Sequence, residues 1–273
     1  MAAAHALAIT SGKGGVGKSV IALNLAVTLA RAGRRVLLVD ADLGLGNSAV
    51  LLGASSEYTL EDVLAGRCRV EEAVVPGPEG VVLLPAASDM NVAFWDEAEI
   101  DAEIGSELRE FEMGFDFVLV DTGAGIAAKS VDFVAAAAEA LLIVTPEPTA
   151  IADAYATLKV LRQRGGDLAL GLLVNMADSA AEATDLHEKF QEMALRFLGA
   201  EIDNRGYIPL DRYVREAVKR QIPFVLASPP TPAAEGIGEV AGALLERESI
   251  SELGRTGLFA RALQQRNWSK RAD

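Results

Sequence analysis

The chain is poor in the residue types that most often carry metal and redox chemistry. Its 273 residues include one cysteine, Cys68, and two histidines, His5 and His187. A single thiol excludes an intramolecular disulfide and any cysteine cluster that holds zinc or an iron–sulfur centre. We interpret both histidines as structural or solvent-facing residues, so the sequence argues against histidine catalysis.

Long apolar runs and an excess of positive charge are missing as well. No stretch approaches the roughly 18 uninterrupted apolar residues that cross a bilayer, and the first residues have no basic leader region. We therefore expect a cytoplasmic protein. The net charge of −14 argues against a nucleic-acid partner, because such binding depends on neutralised phosphates. One segment departs from this acidic average, with the basic residues Arg255, Arg261, Arg266, Lys270 and Arg271.

Short, continuously apolar runs alternate with helical patterns, which is typical of strands buried on both faces. The predicted strands are Ala6–Thr10, Val36–Asp40, Val81–Pro85, Phe117–Asp121, Leu141–Thr145 and Leu170–Asn175. Helical patterns cover Ser19–Ala32, Ala150–Arg164 and Ala180–Leu198, the last with an apolar stripe of Leu186, Phe190, Met193 and Phe197. The order predicts an α/β fold with a mainly parallel, twisted sheet of about seven or eight strands and helices on both faces. We assign residues 1–250 to this domain and 251–273 to a separate basic segment.

A glycine-rich loop follows the first predicted strand and opens the first predicted helix. The segment Gly12-Lys13-Gly14-Gly15-Val16-Gly17-Lys18-Ser19, with Val20 after it, matches the phosphate-loop pattern G-x-x-x-x-G-K-[ST]. The glycines let backbone N–H groups point at phosphate oxygens, and the positive end of the following helix adds to that field. We expect Lys18 to reach the β- and γ-phosphates and Ser19 to ligate Mg²⁺. The loop predicts a P-loop nucleotide hydrolase.

Two other predicted strands end in carboxylates. Asp121 ends its strand at the position where P-loop enzymes hold Mg²⁺, usually through water. Asp40 ends a second strand and Asp42 lies two residues further on, where α/β sheets place ligands. A single aspartate there often only caps the next helix. Two acidic strand ends together with the phosphate loop predict a metal–nucleotide site.

The second lysine of the loop, Lys13, gives the pattern K-G-G-x-G-K-S. This pattern resembles the deviant phosphate loop of the ParA/MinD-type ATPases, and the resemblance covers the chain from Ala6 to about Ala243. It implies ATP and Mg²⁺ as ligands, and an ATP-dependent homodimer in which Lys13 reaches the nucleotide of the partner subunit. It further implies that Asp42 orients the attacking water and that Asp40 supports the magnesium shell and the lysines.

The same resemblance extends to the base of the nucleotide. It implies that Asn175 recognises adenine and that the segment Tyr207–Asp211, with Pro209 and Asp211, lines the base pocket. The residue type of Asn175 alone leaves a second interpretation open, a turn residue at the end of a strand.

Five segments are most similar to the MinD-like regulators of flagellar number, the FlhG, FleN and YlxH branch. They are residues 40–47, 58–66, 84–88, 121–126 and 145–156. The resemblance implies a slow, switch-type ATPase that controls the number or placement of flagella. It also implies flagellar basal-body proteins and a signal-recognition-particle-type GTPase as partners. Members that stimulate this GTPase carry an N-terminal extension, whereas the first strand here begins near Ala6, which argues against GTPase activation.

Two related functions stay open, a ParA-type DNA partition ATPase and a MinD-type regulator of the cell-division site. Both share the same ATP site, and the net charge of −14 disfavours the first. A redox or metal-delivery ATPase is disfavoured, because it needs paired cysteines at a dimer axis and the chain has only Cys68.

The basic segment 251–273 admits two interpretations. Leu258, Phe259, Leu263 and Trp268 form one apolar side among basic residues, similar to the amphipathic helix with which MinD-type proteins lie on an anionic membrane surface. On this interpretation the protein is reversibly peripheral at the inner face of the cell membrane. The alternative is a last helix packed on the core with a charged end.

Overall fold

The computed structural model describes residues 4–42, 47–86, 102–164, 168–248, 257–259 and 261–262. Within them the strands are β1 His5–Thr10, β2 Val36–Ala41, β3 Val75–Pro76, β4 Val82–Leu84, β5 Phe117–Thr122, β6 Glu139–Val144, β7 Ala169–Ala177 and β8 Asp203–Pro209. The helices are α1 Lys18–Arg31, α2 Asn47–Leu51, α3 Leu60–Leu64, α4 Val70–Ala73, α5 Ala102–Glu112, α6 Ala128–Ala136, α7 Pro148–Arg164, α8 Ala180–Leu198, α9 Arg212–Lys219 and α10 Pro232–Glu248. Short 3₁₀ turns occupy Pro78–Gly80 and Phe224–Leu226.

The strands form one sheet of eight strands in the order β3-β4-β2-β5-β1-β6-β7-β8. All neighbouring strands are parallel except β3, which runs antiparallel to β4. β1 lies inside the sheet between β5 and β6, and Ile9 pairs with Asp121 of β5. β5 also pairs with β2, which places Asp40 beside Asp121. The carboxyl ends of three strands therefore meet at one edge, and the predicted α/β fold is confirmed.

All six predicted strands are present, with ends that differ by one or two residues. Every residue of β2, β5 and β6 is buried, as their continuous apolar runs predict for strands covered on both faces. The run Val81–Pro85 is shorter in the structure, where only Val82–Leu84 pairs as β4.

Two strands were not predicted, β3 and β8. β3 has two residues and includes Pro76, which lacks the N–H that a longer ladder needs. β8 begins with Asp203 and Asn204, both exposed, so its first half has no apolar run. It lies at the outer edge of the sheet, where pairing on one side is enough to hold a polar strand.

Helix α8 has clear signals at both ends. The Ser179 hydroxyl accepts from the Glu182 N–H at 3.2 Å, and the helix ends at Gly199 in the left-handed region. Leu186 and Phe190 of the predicted apolar stripe are buried, and Met193 is half-buried.

The last member of that predicted stripe is an exception. The side chain of Phe197 is 64% exposed, one turn beyond the buried Ala194. The Arg196 guanidinium lies 5.3 Å from the centre of its ring, which shields one face of the ring from water. The predicted stripe therefore packs on the core as far as Met193, and its last member, Phe197, lies on the surface.

Residues 257–259 and 261–262, here called the C-terminal contact segment, pack against the core of the α/β domain. Leu258 and Phe259 are 0% and 3% exposed. The buried carboxylate of Glu112, at the end of α5, accepts from the Leu258 N–H at 2.6 Å and from the Phe259 N–H at 3.2 Å.

This contact corrects the prediction that Leu258 and Phe259 form a membrane-facing side. Both side chains are already removed from water by the core, and Glu112 satisfies the two amides that a helix start leaves free. The other two predicted membrane residues, Leu263 and Trp268, lie outside the described residues. Among the helices of the described ranges, none has the length and apolar character to span a bilayer.

Candidate functional site

A cavity of about 1090 Å³ lies at the edge where β1, β2, β5 and β7 end. It is lined by Gly14, Gly15, Gly17, Lys18, Ser19 and Val20 of the phosphate loop, by Asp42, and by Asn175, Pro209 and Asp211 of the base region, whereas the predicted acids Asp40 and Asp121 are buried behind its lining. Its volume exceeds the range of roughly 300–1,000 Å³ typical of small-molecule sites. The cavity is therefore large enough for a mononucleotide.

The phosphate loop turns sharply into α1. Gly17 has φ 93°, a left-handed conformation that glycine adopts without steric cost, and Lys18 begins the helix. The side chain of Lys18 lines the cavity although the residue is only 7% exposed. The first turn of the 14-residue α1 thus presents its free N–H groups and a lysine to the same space.

Three predicted nucleotide-binding residues do not line the cavity. Val16 is buried, and its carbonyl oxygen accepts from the Asn175 Nδ2 at 2.7 Å. Gly12 packs so tightly on α7 that a β-carbon there would lie 2.0 Å from the Asp153 carbonyl carbon. Gly12 and Val16 therefore support the loop by packing on its side away from the cavity. The third residue, Lys13, has its side chain directed away from the cavity as well.

The Lys13 side chain extends towards the start of α7. Its Nζ donates to the Glu147 Oε2 at 2.9 Å and to the Thr149 Oγ1 at 3.1 Å. Both partners of this ion pair are exposed, at 39% and 62% of their side chains. Lys13 is therefore held by its own chain in this structure, and its contact with a partner's nucleotide stays a prediction.

Asp121 is a fully buried acid of the site. Burial and, to a smaller extent, the neighbouring charge of Asp40 raise the pKa of Asp121 to about 7, against the opposing effects of Ser19 and Lys18. Its Oδ2 accepts from the Ser48 hydroxyl at 3.3 Å, while its buried Oδ1 has no hydrogen-bond partner among the described residues. A desolvated carboxylate beside a lysine and a serine hydroxyl is an incomplete polar site that a divalent cation would complete.

Asp40 is fully buried beside Asp121 and binds backbone. Its Oδ1 accepts from the Asp42 N–H at 3.1 Å and its Oδ2 from the Ser48 N–H at 2.9 Å. Burial raises the pKa of Asp40 to about 6, although these two N–H donors lower it. Asp40 therefore connects the two ends of the loop after β2 through hydrogen bonds. Its support of the lysines and of the magnesium shell stays a prediction. Residues 43–46 of this loop lie outside the described residues.

Asp42 is half-buried and lines the cavity. A β-carbon on residue 123 would lie 3.2 Å from the Asp42 Oδ1, which shows how closely this carboxylate approaches the loop after β5. The loops that follow β2 and β5 thus meet at Asp42, beside the phosphate loop.

The base region lies between the ends of β7 and β8. Asn175 is 6% exposed and is fixed by its bond to the phosphate loop, so it is more than a surface turn residue. Asp211 lines the cavity, but its carboxylate caps α9 by accepting from the Tyr213 N–H at 2.8 Å and from the Ala233 N–H at 3.3 Å. Contact of Asn175, Pro209 and Asp211 with a base stays a prediction.

Comparison with known proteins decides the family. A family model described as "ParA: NUBPL iron-transfer P-loop NTPase" matches residues 2–245. The chain belongs to the ParA/MinD family of P-loop ATPases. The iron-transfer activity in that description belongs to the protein it names, and this chain has Cys68 as its single cysteine.

Three similar proteins indicate which members of the family this ATPase resembles. The antiactivator FleN of Pseudomonas aeruginosa is 42% identical over 235 residues, 86% of this chain and 84% of FleN. The flagellum site-determining protein YlxH of Helicobacter pylori is 32% identical over 94% of this chain and 89% of YlxH. The septum site-determining protein MinD of Pyrococcus horikoshii, solved with Mg-ADP, matches with a TM-score of 0.74 at 28% identity, covering 90% of this chain and 98% of MinD.

The residues of the ATPase also fit a magnesium ion bound together with a nucleotide. Among the described residues no group of three or more histidine, cysteine or acidic side chains can hold a metal by itself. Mg²⁺ is commonly bound by one or two protein oxygens with water and substrate phosphates. Ser19 and the unpartnered oxygen of Asp121 supply this smaller set.

Some residues of the site carried no recognisable sequence signal. Ser48 bonds to both Asp40 and Asp121, yet nothing in the sequence distinguishes a serine in a short helix. Glu147 pairs with Lys13 across 134 residues, and no local pattern reveals such a contact. Met176 lines the cavity beside Asn175, where strand alternation places it on the opposite face.

Proposed function

We propose that this ATPase is a dimerising switch that controls the number or placement of flagella. The observation that carries the proposal is the 42% identity to FleN over most of both chains, together with a cavity lined by much of the phosphate loop and by Asp42. The likeness to YlxH, a flagellum site-determining protein, supports the same output.

In the proposed reaction, water attacks the γ-phosphate of ATP and the products are ADP and phosphate. The N–H groups of the phosphate loop and the Lys18 ammonium hold the β- and γ-phosphates and stabilise their charge. Ser19 and Asp121 would hold Mg²⁺, which supplies charge neutralisation on the phosphate oxygens. Asp42 orients the attacking water, for which its half-buried position on the cavity wall is suited.

The nucleotide would also control dimerisation. Lys13 exchanges its exposed partner Glu147 for the phosphates of the ATP bound in a second copy. Exposed ion pairs contribute only about 0–1 kcal/mol, so little free energy opposes this exchange. Slow hydrolysis then sets the lifetime of the dimer, because a recruiting state has to outlive the recruitment.

We further propose that the dimer reaches an anionic membrane surface through the basic C-terminal segment. Leu258 and Phe259 belong to the core, so the apolar contacts would come from Leu263 and Trp268. Cations such as Arg266 and Lys270 each contribute about 1 kcal/mol near an anionic surface. Flagellar basal-body proteins are the proposed partners at that surface.

Light-scattering mass with ATP and Mg²⁺ tests the dimer. Asp42→Ala is expected to trap a dimer by blocking hydrolysis, and adding Lys13→Ala to that variant is expected to return the monomer. Arg69→Ala is the matched control, because Arg69 forms a similarly exposed pair with Glu71, at 3.5 Å, and neither residue lines the cavity. A monomeric Asp42→Ala protein at saturating ATP would refute the ATP-dependent homodimer.

A cell assay separates the proposed output from its alternatives. Flagella per cell are counted in P. aeruginosa cells that lack FleN, with and without this ATPase. Restored flagellar number supports the proposal, whereas misplaced septa with unchanged flagella would favour a MinD-type regulator. Salt-dependent binding of duplex DNA by the Asp42→Ala dimer would favour a partition ATPase instead.

A further inference from the structure

Met176 occupies an irregular position at the end of β7. Asn175 pairs with Ile208 of β8 and Ala177 pairs with Pro209, so two steps on β7 match one step on β8. Met176 is therefore the extra residue of a β-bulge, and it has φ 60°. A left-handed backbone is uncommon for residues other than glycine, and a side chain as large as methionine rarely adopts it.

The bulge changes the direction in which the Met176 side chain points. Successive residues of a regular strand face opposite sides of the sheet, yet Asn175 and Met176 line the same cavity. A β-carbon on Gly17 would lie 3.7 Å from the Met176 Cε, so the thioether lies next to the phosphate loop. The irregular backbone thus serves to place this one side chain.

The exposure of Met176 shows that its contacts within the chain are incomplete. Its side chain is 39% exposed, and Leu210, which lines the same end of the cavity, is 62% exposed. The Leu210 N–H donates to the Ala177 carbonyl oxygen at 2.9 Å, which fixes the two segments against each other. Two apolar side chains beside a phosphate loop form a surface that a flat apolar group would cover.

We propose that Met176 is a specificity-determining residue that holds the base of the bound nucleotide. Its thioether contacts the face of the heteroaromatic ring, a favourable pairing of a polarisable sulfur with an aromatic system. Asn175, fixed to the loop on the same wall, remains available at the edge of the base. The inference rests on the proposed binding of a nucleoside triphosphate at the phosphate loop.

A purely structural role for Met176 does not account for these observations. A methionine that fills the core is buried and adopts an ordinary backbone conformation, whereas Met176 is exposed and left-handed. Backbone strain of this kind persists at ligand sites because the surrounding structure enforces it.

The test compares two ligands that share phosphates and differ in the base. Calorimetry measures the Kd of Mg-ADP and of Mg-tripolyphosphate for wild type, Met176→Gly and Met176→Asn. Both variants accept the left-handed backbone and lose the thioether, so we expect a Kd for Mg-ADP about threefold to tenfold higher. The Kd for Mg-tripolyphosphate is expected to stay unchanged, and the Tm without ligand to stay equal or rise.

Met113→Gly is the matched control, because Met113 is similarly exposed, at 46%, and follows α5 away from the cavity. An unchanged Kd for Mg-ADP in the Met176 variants would refute the base contact. An equal loss for both ligands, or a Tm several degrees lower without ligand, would assign Met176 to the fold instead. If wild type fails to bind Mg-tripolyphosphate, the phosphate site of the proposed function itself is refuted.

Discussion

Replacing Asp121 by asparagine is expected to stabilise the nucleotide-free protein while abolishing its response to Mg-nucleotide. Burial raises the pKa of Asp121 from 3.8 to about 7, so at pH 8 the folded protein holds a desolvated negative charge. A shift of about three pKa units corresponds to roughly 4 kcal/mol of unfavourable free energy. The asparagine side chain has nearly the same shape without the charge, and the Ser48 hydroxyl beside it can still form a hydrogen bond.

Part of this unfavourable free energy comes from repulsion between the charges of Asp121 and Asp40. We therefore expect Asp121→Asn to raise the free energy of unfolding by about 2–4 kcal/mol. For a chain of this size, that gain raises the Tm by about 4–10 °C. The assay is a thermal melt of the nucleotide-free protein at pH 8. A variant that melts at or below the wild-type temperature would refute the assignment of a buried, unfavourable charge to Asp121.

The pH dependence has a definite sign. Because the pKa of Asp121 is raised on folding, the folded protein binds a proton more readily than the unfolded chain. The cost of ionisation is absent below pH 3.8, increases up to about pH 7 and is constant above that. The difference in Tm between Asp121→Asn and wild type should therefore be largest at pH 8 and shrink as the pH falls towards 5.

The response to Mg-ADP and a control substitution complete the test of Asp121. Mg-ADP should raise the Tm of wild type but not of Asp121→Asn, because the amide has lost the charge that attracts the cation. The control is Asp116→Asn at the start of β5. The hydrogen bond from Arg35 lowers the pKa of Asp116, so this change should lower the Tm slightly and leave the Mg-ADP response intact.

Three other substitutions test separate contacts. Gly12→Ala should prevent correct packing of α7, since its β-carbon would lie 2.0 Å from backbone, whereas Gly14→Ala has open space and should keep the wild-type Tm. Glu112→Ala leaves two buried amides of the C-terminal contact segment unsatisfied, so the free energy of unfolding in urea should fall by about 1–3 kcal/mol. The exposed Glu110→Ala is its control. Glu147→Ala removes an exposed pair and should change the monomer's stability by under about 1 kcal/mol in the same assay.

The sequence was sufficient to predict the central strands of the sheet and the polar residues near their carboxyl ends. β1, β2 and β5 are mostly apolar, β2 and β5 carry Asp40 and Asp121 near their carboxyl ends, and the glycine-rich loop begins shortly after β1, so both the strands and the site edge could be located. The strand order, which the sequence does not reveal, makes β2 and β5 neighbours, and their parallel register brings Asp40 beside Asp121.

Features that depend on contacts between distant parts of the chain were not predictable. Glu112 binds Leu258 across 146 residues, and nothing local marks either residue as a partner. The strand β8 is polar where it begins at the sheet edge, so hydrophobic periodicity does not detect it. The bulge at Met176 was missed because a strand pattern assumes strict alternation, which one inserted residue breaks.

The register of β5 has a consequence for how the protein folds. β5 lies between β1 and β2, and it joins segments of the chain that are about 80 to 110 residues away. A slip of one residue would turn Asp121 to the opposite face of the sheet and leave the phosphate loop without its acid. Such distant pairings form slowly, because the entropy cost of closing a long loop comes before the stabilising contacts between its ends form. The ability to bind Mg-nucleotide should therefore appear late in refolding, after most helical signal has recovered.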